Sequence, residues 1–227
     1  MISFFDLLKN RIDVKSVPFS RPGSRLALSQ YFDHSSLYLH ATERLIHFFP
    51  GIESYVKRMP FLEELTFIDA HQQPLDFEII SYPHVLEFDT RLGTFRFLYQ
   101  GEHTICIQLP HNHKTGIQCR VNALEWSASQ DGGVITSYRF LQYSTNGTVL
   151  VNQLAKEAVY SSFTFLVESG SESSILFSIA EDIQTPLKHL PWKAALEHAR
   201  LGWQPWLENI PRSEEHTSEL QSRQVIS

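Results

Sequence analysis

From Arg25 to about Asp182 the chain alternates apolar and polar residues with period two. Leu75-Asp-Phe-Glu-Ile-Ile80 is typical, with Leu75, Phe77 and Ile79 on one face. Similar runs begin at Ser36, Glu64, His84, Thr94, Thr104, Gly116, Val134, Thr148, Ala158 and Ser174. Alternation sends successive side chains to opposite faces, so each run predicts a strand with one buried and one wet face. Turn residues punctuate the runs at Gly101, Asp131-Gly-Gly133, Asn146-Gly147 and Ser169-Gly170. Asn-Gly is the strongest of these signals, because a two-residue type I′ turn needs positive φ at both central positions. It predicts a hairpin between a strand ending near Thr145 and one restarting at Thr148. The run from Val134 to Tyr143 reads as one strand, and Ala41 to Phe49 reads as either a strand or a short helix.

About ten strands without interleaved helices predict an all-β fold, an antiparallel β-sandwich. The pattern changes at Pro186. Trp192, Ala195, Leu196, Ala199, Trp203, Trp206, Leu207 and Ile210 recur at intervals of three and four, which is one face of a helix. Pro205 lacks an N–H and is expected to end or kink that helix near Gly202. Each large side chain gains roughly 1.5–3 kcal/mol on full burial, so this tryptophan-rich stripe needs a partner. Two partners are open: the sandwich itself, or a domain that follows, with Trp192, Trp203 and Trp206 as the docking residues. The expected organisation is a β-sandwich over 1–185 and a C-terminal linker helix over 186–211.

Residues 212–227 share none of this patterning. Arg212 to Ser222 can be back-translated, codon by codon, into the start of a common sequencing adapter, and the remaining residues fit its continuation. They are expected to be an artefactual, disordered tail and are set aside from fold reasoning. The native chain is then expected to continue past Pro211 into a missing catalytic domain.

Composition narrows the classes. The 227 residues are 42% hydrophobic and 19% charged, with a net charge of −6. Disorder and a basic nucleic-acid surface are thereby excluded. No apolar run reaches the roughly 18 residues of a membrane span, and Asp6 breaks the N-terminal apolar stretch, so no signal peptide is read there. Two cysteines cannot make a disulfide scaffold. Cys106 and Cys119, expected in neighbouring strands but on different faces, read as reduced core thiols in a cytoplasmic protein.

Catalytic chemistry is sparse. His111 and His113 are a close pair on a loop, yet two ligands from one segment do not make a metal site. Neither a nucleophile elbow nor a phosphate-binding glycine motif occurs. Asp69, Asp76, Glu78, Glu87 and Asp89 fall on the polar faces of strands, where surface charge explains them. Tyr82, Tyr99, Trp126 and Tyr138 are candidate sugar contacts wherever their rings are exposed.

Several segments together resemble one glycosidase group. They are Pro18-Phe-Ser-Arg-Pro-Gly-Ser-Arg-Leu26, Leu37-Tyr-Leu-His-Ala-Thr-Glu-Arg-Leu45, Pro60-Phe-Leu-Glu-Glu64, Leu75-Asp-Phe-Glu78 with Tyr82-Pro-His84, Tyr143-Ser-Thr-Asn-Gly147, and the exit helix with Trp203-Gln-Pro-Trp206. The chain resembles the N-terminal β-sandwich, or supersandwich, of bacterial glycosidases that carry an (α/α)6 six-hairpin catalytic barrel, glycogen-debranching-like or trehalase-like. The resemblance implies a non-catalytic domain of an enzyme acting on an α-glucan or small glucoside. It implies that the general acid and base are carboxylates of the barrel, that no cofactor or metal is used, and that no catalytic residue lies in this chain. Two alternatives from other classes stay open: a stand-alone carbohydrate-binding sandwich, and a purely structural one.

Overall fold

The computed structural model describes residues 4–21, 24, 26–30, 36–46, 53–137, 139–180 and 186–208. The adapter-like segment 212–227, Tyr138 and the side chain of Trp206 lie outside the described residues. The elements run α1 (Phe4–Leu7), β1 (Leu26–Gln30), β2 (Leu37–Ile46), β3 (Glu53–Ile68), β4 (Glu78–Ser81), β5 (Leu86–Thr90), β6 (Gly93–Tyr99) and β7 (Thr104–Gln108). They continue with β8 (Lys114–Val121), β9 (Glu125–Ala128), β10 (Gly132–Thr136), β11 (Phe140–Thr145), β12 (Thr148–Lys156), β13 (Ser161–Glu168), β14 (Ser174–Ala180) and α2 (Trp192–Glu208).

The strands form two sheets, ordered β1-β2-β3-β8-β13-β12 and β4-β5-β6-β7-β14-β11-β10-β9. Every pairing is antiparallel. The fold is therefore the all-β sandwich that alternation predicts. Of the ambiguous segment, 41–46 is strand, the end of β2 paired with the start of β3, and 47–49 lie outside the described residues.

The inward faces meet in one core, rich in phenylalanine, that includes Phe67, Phe88, Phe95, Phe163, Phe165 and Phe177. A second, smaller core lies on the outer face of the eight-stranded sheet. Leu98, Cys106 and Leu176 point outward there and are covered by Ala195 and Ala199 of α2. This explains why strand interiors such as Phe97-Leu98-Tyr99 are buried on both faces. Of the predicted helical stripe, Ala195 and Ala199 are turned toward the sheet with Leu196 packed beside them, while the side chain of Leu207 and the whole of Ile210 lie outside the described residues. Trp192 and Trp203 stay partly exposed at the flanks of the stripe.

Four local expectations are corrected. The Asn146-Gly147 turn does not close a hairpin: β11 pairs with β10 and β14, whereas β12 pairs with β13 in the other sheet. Neither residue takes the left-handed φ of a type I′ turn. Instead the dipeptide carries the chain between sheets. Asn146 Oδ1 accepts the Ser174 N–H at 2.7 Å, its Nδ2 donates to the Glu172 carbonyl at 3.1 Å, and a side chain at Gly147 would collide with Val167.

The run from Val134 to Tyr143 is two strands, β10 and β11, with the Ser137 N–H donating to the Arg139 carbonyl across their turn. Pro205 does not end helix α2, which continues through it to Glu208. The bond that proline forfeits is to the Leu201 carbonyl, on a residue that is 53% exposed and can be hydrated. Gly202 does not end the helix either; its missing side chain leaves room for the Arg21 guanidinium, whose Nε would lie 2.6 Å from a Cβ there. Finally, Cys106 and Cys119 are not in neighbouring strands. β7 and β8 belong to different sheets, Cys106 packing under α2 and Cys119 in the main core. Both thiols are free, and burial pushes that of Cys106 up to about 12 and that of Cys119 higher still. Neither is ionised near neutral pH, so neither is a nucleophile.

Candidate functional site

A cavity of about 170 Å³ lies where α1, the turn before β5 and α2 meet on the outer face of the eight-stranded sheet. Its walls are Asp6, Tyr82, His84, Val85, Glu87, Arg96, Trp192, Leu196 and Arg200. Sequence spacing explains most of the set. Trp192, Leu196 and Arg200 stand four apart, hence on one side of α2. Glu87 and Arg96 are directly opposed in the β5–β6 register, and Gln108 opposes Arg96 in the next strand. Arg96 donates from Nε to Glu87 Oε1 at 2.8 Å and from Nη1 to Gln108 Oε1 at 3.2 Å, so its guanidinium is fixed by both neighbouring strands. The turn that presents Tyr82 and His84 is closed by the Tyr82 N–H donating to the Val85 carbonyl at 2.9 Å.

His84 is 4% exposed. The Phe5 ring meets it edge-on at 4.6 Å, and Arg200 Nε donates to its Nε2 at 3.3 Å. Guanidinium has no acceptor, so Nε2 is the bare nitrogen and the imidazole proton sits on Nδ1. Burial, and then the Arg200 charge, pull the histidine down to about 4, with Asp6 acting weakly the other way. His84 is therefore neutral in the folded chain while the unfolded chain protonates near 6.5. The unfolded state binds the extra proton as pH falls. Stability from this residue is complete above pH 6.5, declines from 6.5 to about 4, and is flat below. Urea unfolding at pH 7 and pH 4.5 is expected to show about 2 kcal/mol more acid loss in the wild type than in His84→Gln. An equal loss in both would remove this histidine from the account.

The other aromatic candidates scatter. Tyr99 is enclosed in the main core at 2% exposure, against Phe19 and Phe97, with its hydroxyl donating to the Phe19 carbonyl at 2.6 Å. Its ring offers no stacking surface. Trp126 is partly buried on β9, at the far edge of the same sheet, and its Nε1–H donates to Tyr143 Oη at 2.8 Å. Among the described sequence-selected aromatics only Tyr82 and Trp192 line this cavity, one a sugar candidate and the other a docking candidate. His84, Arg96 and Arg200 were missed. The signal for Arg200 was its place four residues beyond Leu196, and for Arg96 its mirror position to Glu87 across the Arg91-Leu92 turn.

Among the described residues no group of three or more His, Cys, Asp or Glu could hold a metal ion. The loop pair His111 and His113 gains no third partner there. No described helix is long and apolar enough to cross a membrane.

The chain matches no family model, and no curated protein matches it. A solved structure does. The Family GH92 inverting mannosidase of Bacteroides thetaiotaomicron superposes with a TM-score of 0.59, covering 91% of this chain and 36% of that one at 9% identity. The two share a fold. At that identity the likeness concerns architecture alone, and this chain spans about a third of the mannosidase's length.

Proposed function

We propose that this chain is a non-catalytic β-sandwich domain of a glycoside hydrolase that acts on an α-glucan or small glucoside. The observation that carries the reading is the likeness, over 91% of the chain, to a fraction of a much longer glycosidase. The site chemistry agrees with a supporting role. The one buried histidine of the cavity is held neutral by its burial and then by the Arg200 charge. The Glu87 carboxylate is tied up by its bond to Arg96. The barrel that would supply the acid and base follows α2 in this reading. Trp192 and Trp203, half-covered by the sandwich, are the surface it would complete. A cytoplasmic setting fits the two reduced thiols.

The test is the parent locus read past the codon for Pro211. An open frame encoding a helical domain is expected, and a stop codon directly after Pro211 would overturn the reading.

A further inference from the structure

We infer that the cavity beneath α2 is a binding site for one neutral sugar ring. This rests on the glycosidase reading for the sugar's availability, but its evidence is the cavity itself.

Size comes first. About 170 Å³ is the room of roughly six waters at ~30 Å³ each. It is well below the ~300–1,000 Å³ of pockets for larger ligands. A single hexopyranose suits it.

The walls give the class. Tyr82 and Trp192 bring two partly exposed aromatic rings to the same cavity. Aromatic faces take the C–H side of a sugar ring, as they take other weakly polarised groups. The same walls hold both kinds of polar partner: the guanidinium groups of Arg96 and Arg200, and the carboxylates of Asp6 and Glu87. An anion would gain from the arginines and be repelled by the carboxylates; a cation would meet the reverse. Hydroxyl groups donate and accept at once, so a neutral polyol is the ligand that satisfies the mixed lining.

Position gives the consequence. The walls come from α1, from the sheet and from α2, so a ring seated there touches both the sandwich and the exit helix. Occupancy must then stabilise α2 on the sheet, because a ligand that binds only the docked arrangement shifts the equilibrium toward it.

The experiment titrates the whole chain with D-glucose and, separately, D-mannose, following tryptophan emission and melting temperature. A saturable change at millimolar hexose is expected with at least one of them, together with a rise in melting temperature. Tyr82→Ala should weaken it at least tenfold with an unchanged circular dichroism spectrum. Tyr160→Ala, on a ring that packs with Arg120 away from the cavity, should leave it intact. No saturation with either hexose would overturn the proposal, as would saturation by inorganic phosphate alone. Equal binding by Tyr82→Ala would do the same. None of these failures touches the reading of the parent protein, which stands or falls on the locus.

Discussion

Phe67→Ala is expected to lower the unfolding free energy by about 3–5 kcal/mol, a third or more of what a domain of this kind commonly has. Phe67 is fully buried on β3 and is one of the points where the two sheets interlock. Its ring stacks on Phe95 of the opposite sheet at 4.1 Å and packs against Phe88 at 5.1 Å and Phe77 at 5.7 Å. Truncation removes the transfer term and leaves a hole between sheets whose backbones cannot close on it. Phe67→Leu, which keeps most of the volume, should cost far less, under about 1.5 kcal/mol. Urea titration gives both values. An unfolding free energy for Phe67→Ala within about 0.5 kcal/mol of the wild type would mean that the sheets do not meet through this residue.

Gly116→Ala is expected to be as damaging, for a different reason. Gly116 lies in β8, in the middle of the six-stranded sheet, opposite Leu166 of β13 and Ile68 of β3. A Cβ there would fall on the Phe165 carbonyl oxygen and lie 2.9 Å from Leu166 Cα. These are backbone atoms of a paired strand, so no rotamer change relieves the clash and the ladder itself must part. A loss above about 3 kcal/mol, or failure to fold, follows. Gly170→Ala is the control. Its nearest neighbour would be Ser173 Oγ at 3.8 Å, and it keeps an ordinary φ, so a change within about 0.5 kcal/mol is expected. Thermal melts of the two variants decide the matter; similar melting temperatures would contradict the close approach of β8 and β13.

The contrast between these glycines shows what the sequence could carry. Alternation exposed the strands because each buries one face in a common core, and the three-and-four spacing after Pro191 exposed α2 for the same reason. Which strands pair was hidden. Asn146-Gly147 has the composition of a hairpin turn. Yet the Asn146 side chain spends its hydrogen bonds on the loop before β14, and the chain changes sheets there. Gly132 and Gly133 look like turn residues but open β10, where the approach of Tyr143 and Ser144 leaves no room for a Cβ. β1 could not be read by alternation because all five of its residues are buried. The cavity was half legible. Tyr82 and Trp192 stood out as aromatics, each in a separate argument. Their meeting, and the arrival of Arg200 on His84, depend on α2 folding back onto the sheet, a long-range contact that no local pattern encodes.

The central claim is that this chain supports a glycosidase without being one. The direct measurement is release of reducing sugar from maltooligosaccharides and trehalose by the purified chain and by the complete product of its parent locus. No turnover is expected from the chain, and turnover is expected from the complete product. Hydrolysis by the chain alone, abolished by a substitution within it, would overturn the supporting role proposed for it.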